Sequence, residues 1–152
     1  MTKTDYYLGI ARAVSQRATC LKKRYGSIIV NGDRICSTGY NGSPAHEPHC
    51  TTCTKPSGNG DMEEYGKFCP AVHAEMNALL MASKEEMAGA DLYLAGWDVR
   101  TDSECNARPC EICLRLIKNA GINRVINRTG IIFERGEDGV LYDLMRGCRT
   151  YD

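Results

Sequence analysis

The chain has 152 residues, and its 19 basic and 19 acidic side chains leave no net formal charge at pH 7. A hydrophobic content of 43% and a charged content of 25% are typical of a globular protein and exclude the fibrous and disordered classes. The length predicts a single domain over residues 1–152. The balanced charge disfavours nucleic acid as a partner. No apolar run suits a membrane span, and the polar start lacks a signal peptide's apolar region, so we expect a cytoplasmic protein.

The first part of the chain predicts a helix followed by a β-hairpin. Apolar residues at helical spacing predict a helix from Asp5 to Arg17, with Thr4 as its N-cap. Two β-rich runs follow at 26–30 and 34–40, and the Asn-Gly dipeptide between them is a strong hairpin signal. We therefore expect the helix to pack against the first strands of a sheet.

The middle of the chain begins with a segment at 41–70 that is rich in Gly, Pro, Ser, Thr, Cys and His and has little periodicity. A segment this long without regular structure is usually functional or held in place by other groups. Helical spacing returns at 73–87 and ends before Gly89, because glycine readily closes a helix. A buried strand is predicted at 90–96.

The last part of the chain starts with a polar run at 97–108, which predicts a second long loop. A helix is predicted at 109–121, with proline at its entrance and glycine at its exit, and a strand at 122–127. Beyond this strand, a hairpin around 138–139 is favoured over a strand followed by a short helix. This order of elements predicts an α/β sandwich with a mixed sheet.

Cysteine is frequent, and an odd count of 9 without an export signal argues against a closed set of disulfides. The pairs Cys50/Cys53 and Cys110/Cys113 have the Cys-x-x-Cys spacing that provides two thiolates to one metal ion. A redox dithiol is one alternative, although neither pair has thioredoxin-like surroundings. A non-catalytic zinc-binding module is another, but zinc ribbons place their pairs about 15–20 residues apart, and these two pairs are much further apart.

The strongest signal is a His-x-Glu sequence at the start of one predicted helix and a Pro-Cys-x-x-Cys sequence at the start of the next. A catalytic zinc typically takes three protein ligands and keeps one position for water, and His73, Cys110 and Cys113 provide three. Both cysteines lie where free amides and the helix dipole favour thiolate. Glu75 lies beside them and can carry a proton from the water. This pattern is the signature of zinc nucleobase deaminases.

Together with "STGYNGSP" at 37–44 and "RATC" at 17–20, these motifs resemble the cytidine and deoxycytidylate deaminase superfamily over about residues 5–128, and its deoxycytidylate branch most of all. The resemblance implies a three-layer α/β/α sandwich with about five strands, a homo-oligomer, and hydrolysis of dCMP to dUMP and ammonia. Cytidine, guanine and adenosine are the alternative substrates. A tRNA adenosine deaminase would need a basic face for RNA.

Carried over by position, the resemblance implies that His73, Cys110 and Cys113 bind the catalytic zinc and that Glu75 moves protons. It also implies that the backbone amide of Ala74 binds the pyrimidine carbonyl.

The resemblance further implies that Asn41 contacts the sugar, although Asn-Gly is also an ordinary turn dipeptide. The phosphate is expected near Lys22, Lys23 and Arg24, with Arg24 preferred, and a solvated charge run is the alternative. The loop at 97–108 departs from the family, being roughly ten residues longer than usual. This loop borders the predicted pocket, and its side chains either stack on the substrate or bind phosphate, or they only cover the surface. The side chains concerned are Trp97, Asp98, Arg100 and Arg108.

A second, structural zinc is also implied for the segment between the second strand and the active-site helix. Four thiolates around such an ion would explain how a segment of this composition stays ordered. Free, reduced thiols are the alternative. The candidate ligands are Cys20, Cys50, Cys53 and Cys69, with His49 or His46 as a further possibility.

Overall fold

The computed structural model describes residues 1–55, 62–145 and 148–149, with no side-chain detail for 62–64 and 148–149. In chain order, the helices and strands are α1 (Lys3–Ser15), β1 (Lys23–Asn31), β2 (Arg34–Tyr40), α2 (Met62–Phe68), α3 (Ala74–Met81), α4 (Lys84–Met87), β3 (Asp91–Asp98), β4 (Ser103–Cys105), α5 (Glu111–Ala120), β5 (Arg124–Asn127), β6 (Gly130–Arg135), β7 (Leu141–Asp143) and β8 (Cys148–Arg149).

All of these strands join one mixed sheet in the order β2-β1-β3-β5-β6-β7-β8, and β4 pairs with β3 outside this path. Strands β3 and β5 run parallel, whereas the other described pairs are antiparallel. The predicted mixed sheet is confirmed. Over the described residues it has 8 strands rather than about five, because a hairpin inside the predicted loop at 97–108 and the C-terminal strands extend it.

Helices cover both faces of the sheet, as the sandwich prediction requires. Along β1, Ile28 packs in an apolar cluster with Leu8 of α1. The next residue, Ile29, packs in a second cluster with Leu79 of α3 and Ile117 of α5. Successive side chains of a strand point to opposite faces, so β1 contributes to both clusters. Burying each such side chain stabilises the fold by about 1.5–3 kcal/mol.

Two glycines allow helices to lie directly on the sheet. A Cβ atom at Gly39 of β2 would lie 2.4 Å from both the carbonyl oxygen of Ala74 and the amide nitrogen of Ala78. A Cβ atom at Gly26 of β1 would lie 2.0 Å from the carbonyl oxygen of Ala11 in α1. Gly39 therefore determines how closely the first turn of α3 approaches the sheet.

Helix α1 begins earlier than predicted, at Lys3, and ends at Ser15. Its N-cap is Thr2, whose hydroxyl accepts a hydrogen bond from the Asp5 amide at 3.0 Å, while the Asp5 carboxylate accepts one from the Thr2 amide at 3.4 Å. This reciprocal capping box satisfies amides that an N-cap at Thr4 would leave unpaired. The predicted cap at Thr4 is therefore wrong, and Thr4 lies inside the helix.

The single helix predicted at 73–87 is two helices, α3 and α4. Ala82 between them has an extended backbone, with φ −105° and ψ 152°. The Ser83 hydroxyl accepts a hydrogen bond from the Glu86 amide at 3.1 Å, and the Glu86 carboxylate accepts one from the Ser83 amide at 2.9 Å. A second capping box thus starts a new helix within an apolar pattern that looked continuous.

Both predicted loops contain regular structure. The segment at 41–70 includes α2, although 56–61 lie outside the described residues. The run at 97–108 contains the end of β3 and all of β4, which pair in a hairpin. The favoured hairpin around 138–139 is confirmed as β6 and β7. Among the described residues, none of the helices has the length and apolar character needed to cross a bilayer.

Candidate active site

The starts of α3 and α5 bring three potential metal ligands together. His73 is the N-cap residue of α3, Cys110 is the N-cap residue of α5, and Cys113 lies in the first turn of α5. The Nδ1 atom of His73 lies 3.3 Å from the Cys113 Sγ atom and 3.5 Å from the Cys110 Sγ atom. The ligand atoms all lie within 4.8 Å of one another.

This donor set fits zinc. Ligands about 2.0–2.3 Å from a tetrahedral zinc ion lie about 3.5–3.8 Å from each other, which is close to the separations between the ring nitrogen and the two sulfurs. One histidine and two cysteines also leave a fourth position free. Within the described part of the chain, His73, Cys110 and Cys113 are the one group of three or more such side chains with this proximity.

The two thiols are electrostatically coupled. A hydrogen bond from the Cys113 thiol lowers the pKa of Cys110 to about 4, and the same interaction, together with burial, raises the pKa of Cys113. Burial lowers the pKa of His73, but the hydrogen bond and charge of Cys110 raise it more, so the net shift is upward. Two thiolates at this separation repel each other unless a cation lies between them, which favours a bound metal ion.

Glu75 lies in the first turn of α3 beside the ligand cluster. Its side chain is 5% exposed, and this burial raises the pKa of the carboxyl group. The edge of the Tyr65 ring packs against the His73 ring, with 4.4 Å between the ring centroids. Ala74, between His73 and Glu75, is fully buried at the helix start, where amide groups have no partner inside the helix.

A cavity of about 310 Å³ opens beside the cluster and is bordered by His73, Glu75 and Cys110. This volume lies at the lower end of the range for small-molecule sites, about 300–1,000 Å³. Four basic residues contribute to its walls. These residues are Lys22, Lys23, Lys55 and Arg108.

The structure places the predicted phosphate contacts unequally. Lys23 and Tyr25 line the cavity, but Arg24 between them does not. Alternation along β1 explains the difference, because neighbouring side chains of a strand point to opposite faces. The Nε atom of Arg24 is buried without a hydrogen-bond partner in the described structure. Lys55, which sequence reasoning missed, comes from a segment without periodicity.

Asn41 lines the cavity and is buried, but its side-chain amide also binds the backbone of β1. The Oδ1 atom accepts a hydrogen bond from the Tyr25 amide at 2.8 Å, and the Nδ2 atom donates one to the Lys23 carbonyl at 3.0 Å. Neither of the roles predicted for Asn41, a sugar contact or a turn residue, includes these bonds. They hold the strand that carries Lys23 in place.

The hairpin formed by β3 and β4 supports the same strand from its other side. The Val99 amide donates a hydrogen bond to the Lys22 carbonyl at 2.9 Å. In the antiparallel register of β1 and β3, the backbone of Lys23 lies opposite that of Asp98. Of the four side chains predicted to contact substrate from 97–108, only Arg108 lines the cavity. The others make local contacts: Trp97 Nε1 donates to Asp102, and Asp98 pairs with Arg100.

The predicted ligands of a second zinc line a neighbouring cavity of about 540 Å³. Among the described residues, no three of them come together as the ligand atoms of the first cluster do. Their thiols are not joined in disulfides. His46 is not among the residues that line this cavity. The predicted ligands that do line it are Cys20, His49, Cys50, Cys53 and Cys69.

Comparison with known proteins agrees with this geometry. The family model for the cytidine and deoxycytidylate deaminase zinc-binding region matches residues 1–129. The chain belongs to the cytidine and deoxycytidylate deaminase family. The match includes every residue of the His73, Cys110 and Cys113 cluster, together with Glu75, and ends before β6.

Several members of this family are similar to the chain. Deoxycytidylate deaminase of Mycobacterium phage D29 is 38% identical over 127 residues, covering 80% of this chain and 91% of the phage protein. The enzyme of that name in Schizosaccharomyces pombe is 33% identical over 131 residues and 82% of this chain, but the chain spans only 36% of it. The crystal structure of dCMP deaminase from cyanophage S-TIM5 in apo form has a TM-score of 0.58 and 25% identity, covering 84% of this chain and 85% of that chain.

Proposed function

We propose that this protein is a single-domain enzyme that catalyses the zinc-dependent hydrolysis of dCMP to dUMP and ammonia. The observation that carries this proposal is a buried Glu75 beside a His73, Cys110 and Cys113 cluster, at one wall of a cavity that is lined elsewhere by lysines. The similarity to deoxycytidylate deaminase of phage D29, which extends over most of both chains, supports the choice of substrate.

His73, Cys110 and Cys113 would hold the zinc ion, which when bound supplies the Lewis acidity that lets water act as a nucleophile near neutral pH. Glu75 accepts a proton from the attacking water and delivers it to ring nitrogen N3. It then carries the water's second proton to the amino group. A C4–O bond forms, the C4–N bond breaks, and ammonia leaves. Burial of Glu75 keeps bulk water from competing for these protons.

The remaining contacts hold the nucleotide in register. The backbone amide of Ala74 donates to the pyrimidine carbonyl, and Asn41 borders the sugar. Lys22 and Lys23 contact the phosphate, for which their flexible ammonium groups are suited as point charges. Their position on the cavity wall supports this assignment over Arg24.

We further propose a structural zinc in the cysteine-lined cavity, held by Cys20, Cys50, Cys53 and Cys69. His49, which also lines this cavity, is the alternative to one of these thiolates. Metal binding would draw the thiolates together and order the segment that carries them.

The enzyme is also proposed to be a homo-oligomer. Large apolar side chains on α3 and α5 are exposed, as expected of a face covered by a second copy. A cytoplasmic location is proposed as well, because the substrate is a dissolved nucleotide. Light scattering on the purified protein tests the oligomer. The exposed apolar side chains of these helices are Leu80, Met81, Ile112 and Leu116.

The substrate is tested by following ammonia release from dCMP, CMP, deoxycytidine, cytosine, dAMP and guanine. Turnover of dCMP alone is the expected result, because the lysines that line the cavity favour a phosphate and the similar phage D29 protein is a deoxycytidylate deaminase. Activity confined to another base would overturn the substrate assignment while leaving the zinc chemistry in place. No ammonia from any compound, with zinc bound, would overturn the proposed function.

A further inference from the structure

The segment that leads into Cys110 is anchored by one side chain from β5 and one from β7. The Nδ2 atom of Asn127, at the end of β5, donates a buried hydrogen bond to the Ala107 carbonyl at 2.7 Å. The Arg108 guanidinium group forms an ion pair with the Asp143 carboxylate on β7 through both terminal nitrogens. The backbone before the zinc-ligating residue is thus attached to two strands.

The second anchor, the ion pair of Arg108 with Asp143, restricts the position of the Arg108 side chain through several contacts. The Arg108 guanidinium carbon also lies over the Phe133 ring, 4.5 Å from its centroid, and Phe133 is fully buried. The Asp143 side chain is only 3% exposed, and its Oδ1 atom also accepts a hydrogen bond from the Met145 amide at 3.0 Å. An arginine held by a buried carboxylate and an aromatic face has little freedom to reorient.

The two partners of Arg108 in this anchor lie beyond the residues that the family model matches. The family model matches residues 1–129, whereas Phe133 lies on β6 and Asp143 on β7. The C-terminal hairpin therefore reaches back to the wall of the cavity through Arg108.

Arg108 differs in its pairing from the lysines of the same cavity. Its charge is matched by Asp143, whereas none of Lys22, Lys23 and Lys55 has an ion-pair partner among the described residues. Among the described residues these lysines have no carboxylate to neutralise them, although the Lys22 ammonium group donates a hydrogen bond to the Lys55 carbonyl at 3.1 Å. The Arg108 charge, in contrast, is already paired with the hairpin.

We infer that Arg108 and Asp143 are a positioning pair, through which the β6–β7 hairpin holds the Cys110 segment in the geometry that zinc binding and turnover require. The part of this inference that concerns turnover rests on the proposed function. The pair does not bind the phosphate. Its loss should weaken the hold on zinc and slow the chemical step, because displacement of a ligand segment affects both.

The test uses Asp143→Asn, whose amide oxygen can still accept the hydrogen bond from Met145, and Arg108→Lys, which keeps the charge but loses the planar fork. Both variants should release zinc to a chelator about tenfold faster and lower kcat for dCMP about tenfold, with KM changed less than about twofold. The double variant should be little worse than either single one, because both remove the same interaction.

Asp91→Asn is the matched control. Asp91 pairs with Arg124 through two contacts of 2.9 and 2.5 Å, but at the starts of β3 and β5, away from the cavity. It should lower thermal stability while leaving zinc release and kcat unchanged. Comparing melting temperatures then separates a general loss of stability from a local effect on the site.

Two results would overturn the inference. A roughly tenfold rise in KM for dCMP with unchanged kcat in a variant of Arg108 would make this residue a phosphate ligand. The second result is that Asp143→Asn lowers the melting temperature as much as Asp91→Asn does but leaves zinc release and kcat normal. The pair would then stabilise the fold without positioning the Cys110 segment. Zinc release needs no substrate, so it is informative even if dCMP is not turned over by the wild-type protein.

Discussion

The two groups of cysteines in this protein share a sequence spacing but differ in geometry. Cys110 and Cys113 lie at the start of α5 and, with His73, have ligand atoms within 4.8 Å of one another. Cys50 and Cys53 have the same Cys-x-x-Cys spacing, but they line a wider cavity without reaching such proximity to other ligands in the described structure.

The difference teaches that secondary structure, and not spacing, brings thiols to a preformed metal site. Residues three apart on a helix lie on the same side, and the amide of Cys113 points at the Cys110 sulfur, 3.5 Å away. The segment at 50–55 has no helix or strand to impose such an arrangement. There, the metal ion itself would have to supply the order.

Replacing one thiol in each group gives the largest expected contrast. Cys113→Ser should remove the catalytic zinc and all measurable deamination, because too few ligands remain. Cys53→Ser should remove only the proposed second zinc and lower activity less than about tenfold. Zinc per chain and ammonia release measure both effects, with Cys36→Ser as the control. Equal losses from the two variants would contradict the separation of the sites.

Removing the proton carrier tests the preformed site without touching its ligands. Glu75→Ala should retain zinc and fold but lower kcat by about 10²–10⁴-fold, the range for general acid–base catalysis. Glu85→Ala, which removes an exposed carboxylate from α4, is the control and should behave like the wild-type protein. Activity retained in Glu75→Ala would refute the assigned role.

The contact between β2 and the first turn of α3, which carries part of the candidate site, can be altered at Gly39. Gly39→Ala should cost about 1–3 kcal/mol in the free energy of unfolding, because the new methyl group would press on the start of α3. Gly26→Ala should cost a similar amount through contact with α1. Only Gly39→Ala should also slow turnover per folded molecule, since α3 carries His73 and Glu75. Normal kcat in Gly39→Ala would show that α3 adjusts without displacing the site.

Removing zinc with a chelator should give the smallest of these effects. It tests whether metal binding orders the backbone around each group of cysteines. Amide hydrogen exchange should speed up about tenfold over 49–55 when metal is removed, because this segment has no helix or strand and the proposed ion would tie Cys50 and Cys53 to the rest of the fold. Exchange at the starts of α3 and α5 should change much less. Mass spectrometry of peptides from the two regions makes the comparison. Identical changes would mean that both sites depend on metal for their shape.

Local sequence was sufficient for the elements whose signals lie within a few residues. The hairpin turn that includes Gly32 and the exit of α5 at Gly121 were predicted correctly, because glycine readily adopts the positive φ that these two residues have. The helix boundaries at Lys3 and Ala82 were not, since capping boxes competed with the apolar pattern. Periodicity indicates which residues can be helical, whereas capping decides where a helix starts.

The sequence by itself determined the chemistry of the candidate site, because the donor types and spacings of His73, Glu75, Cys110 and Cys113 suit a zinc-dependent deaminase. Only the tertiary structure decided which cations face the cavity. Whether Lys23 or Arg24 reaches the cavity depends on which face of β1 each side chain occupies. The pairing of Arg108 likewise depends on a hairpin distant in sequence, and contacts of that kind leave no local signal.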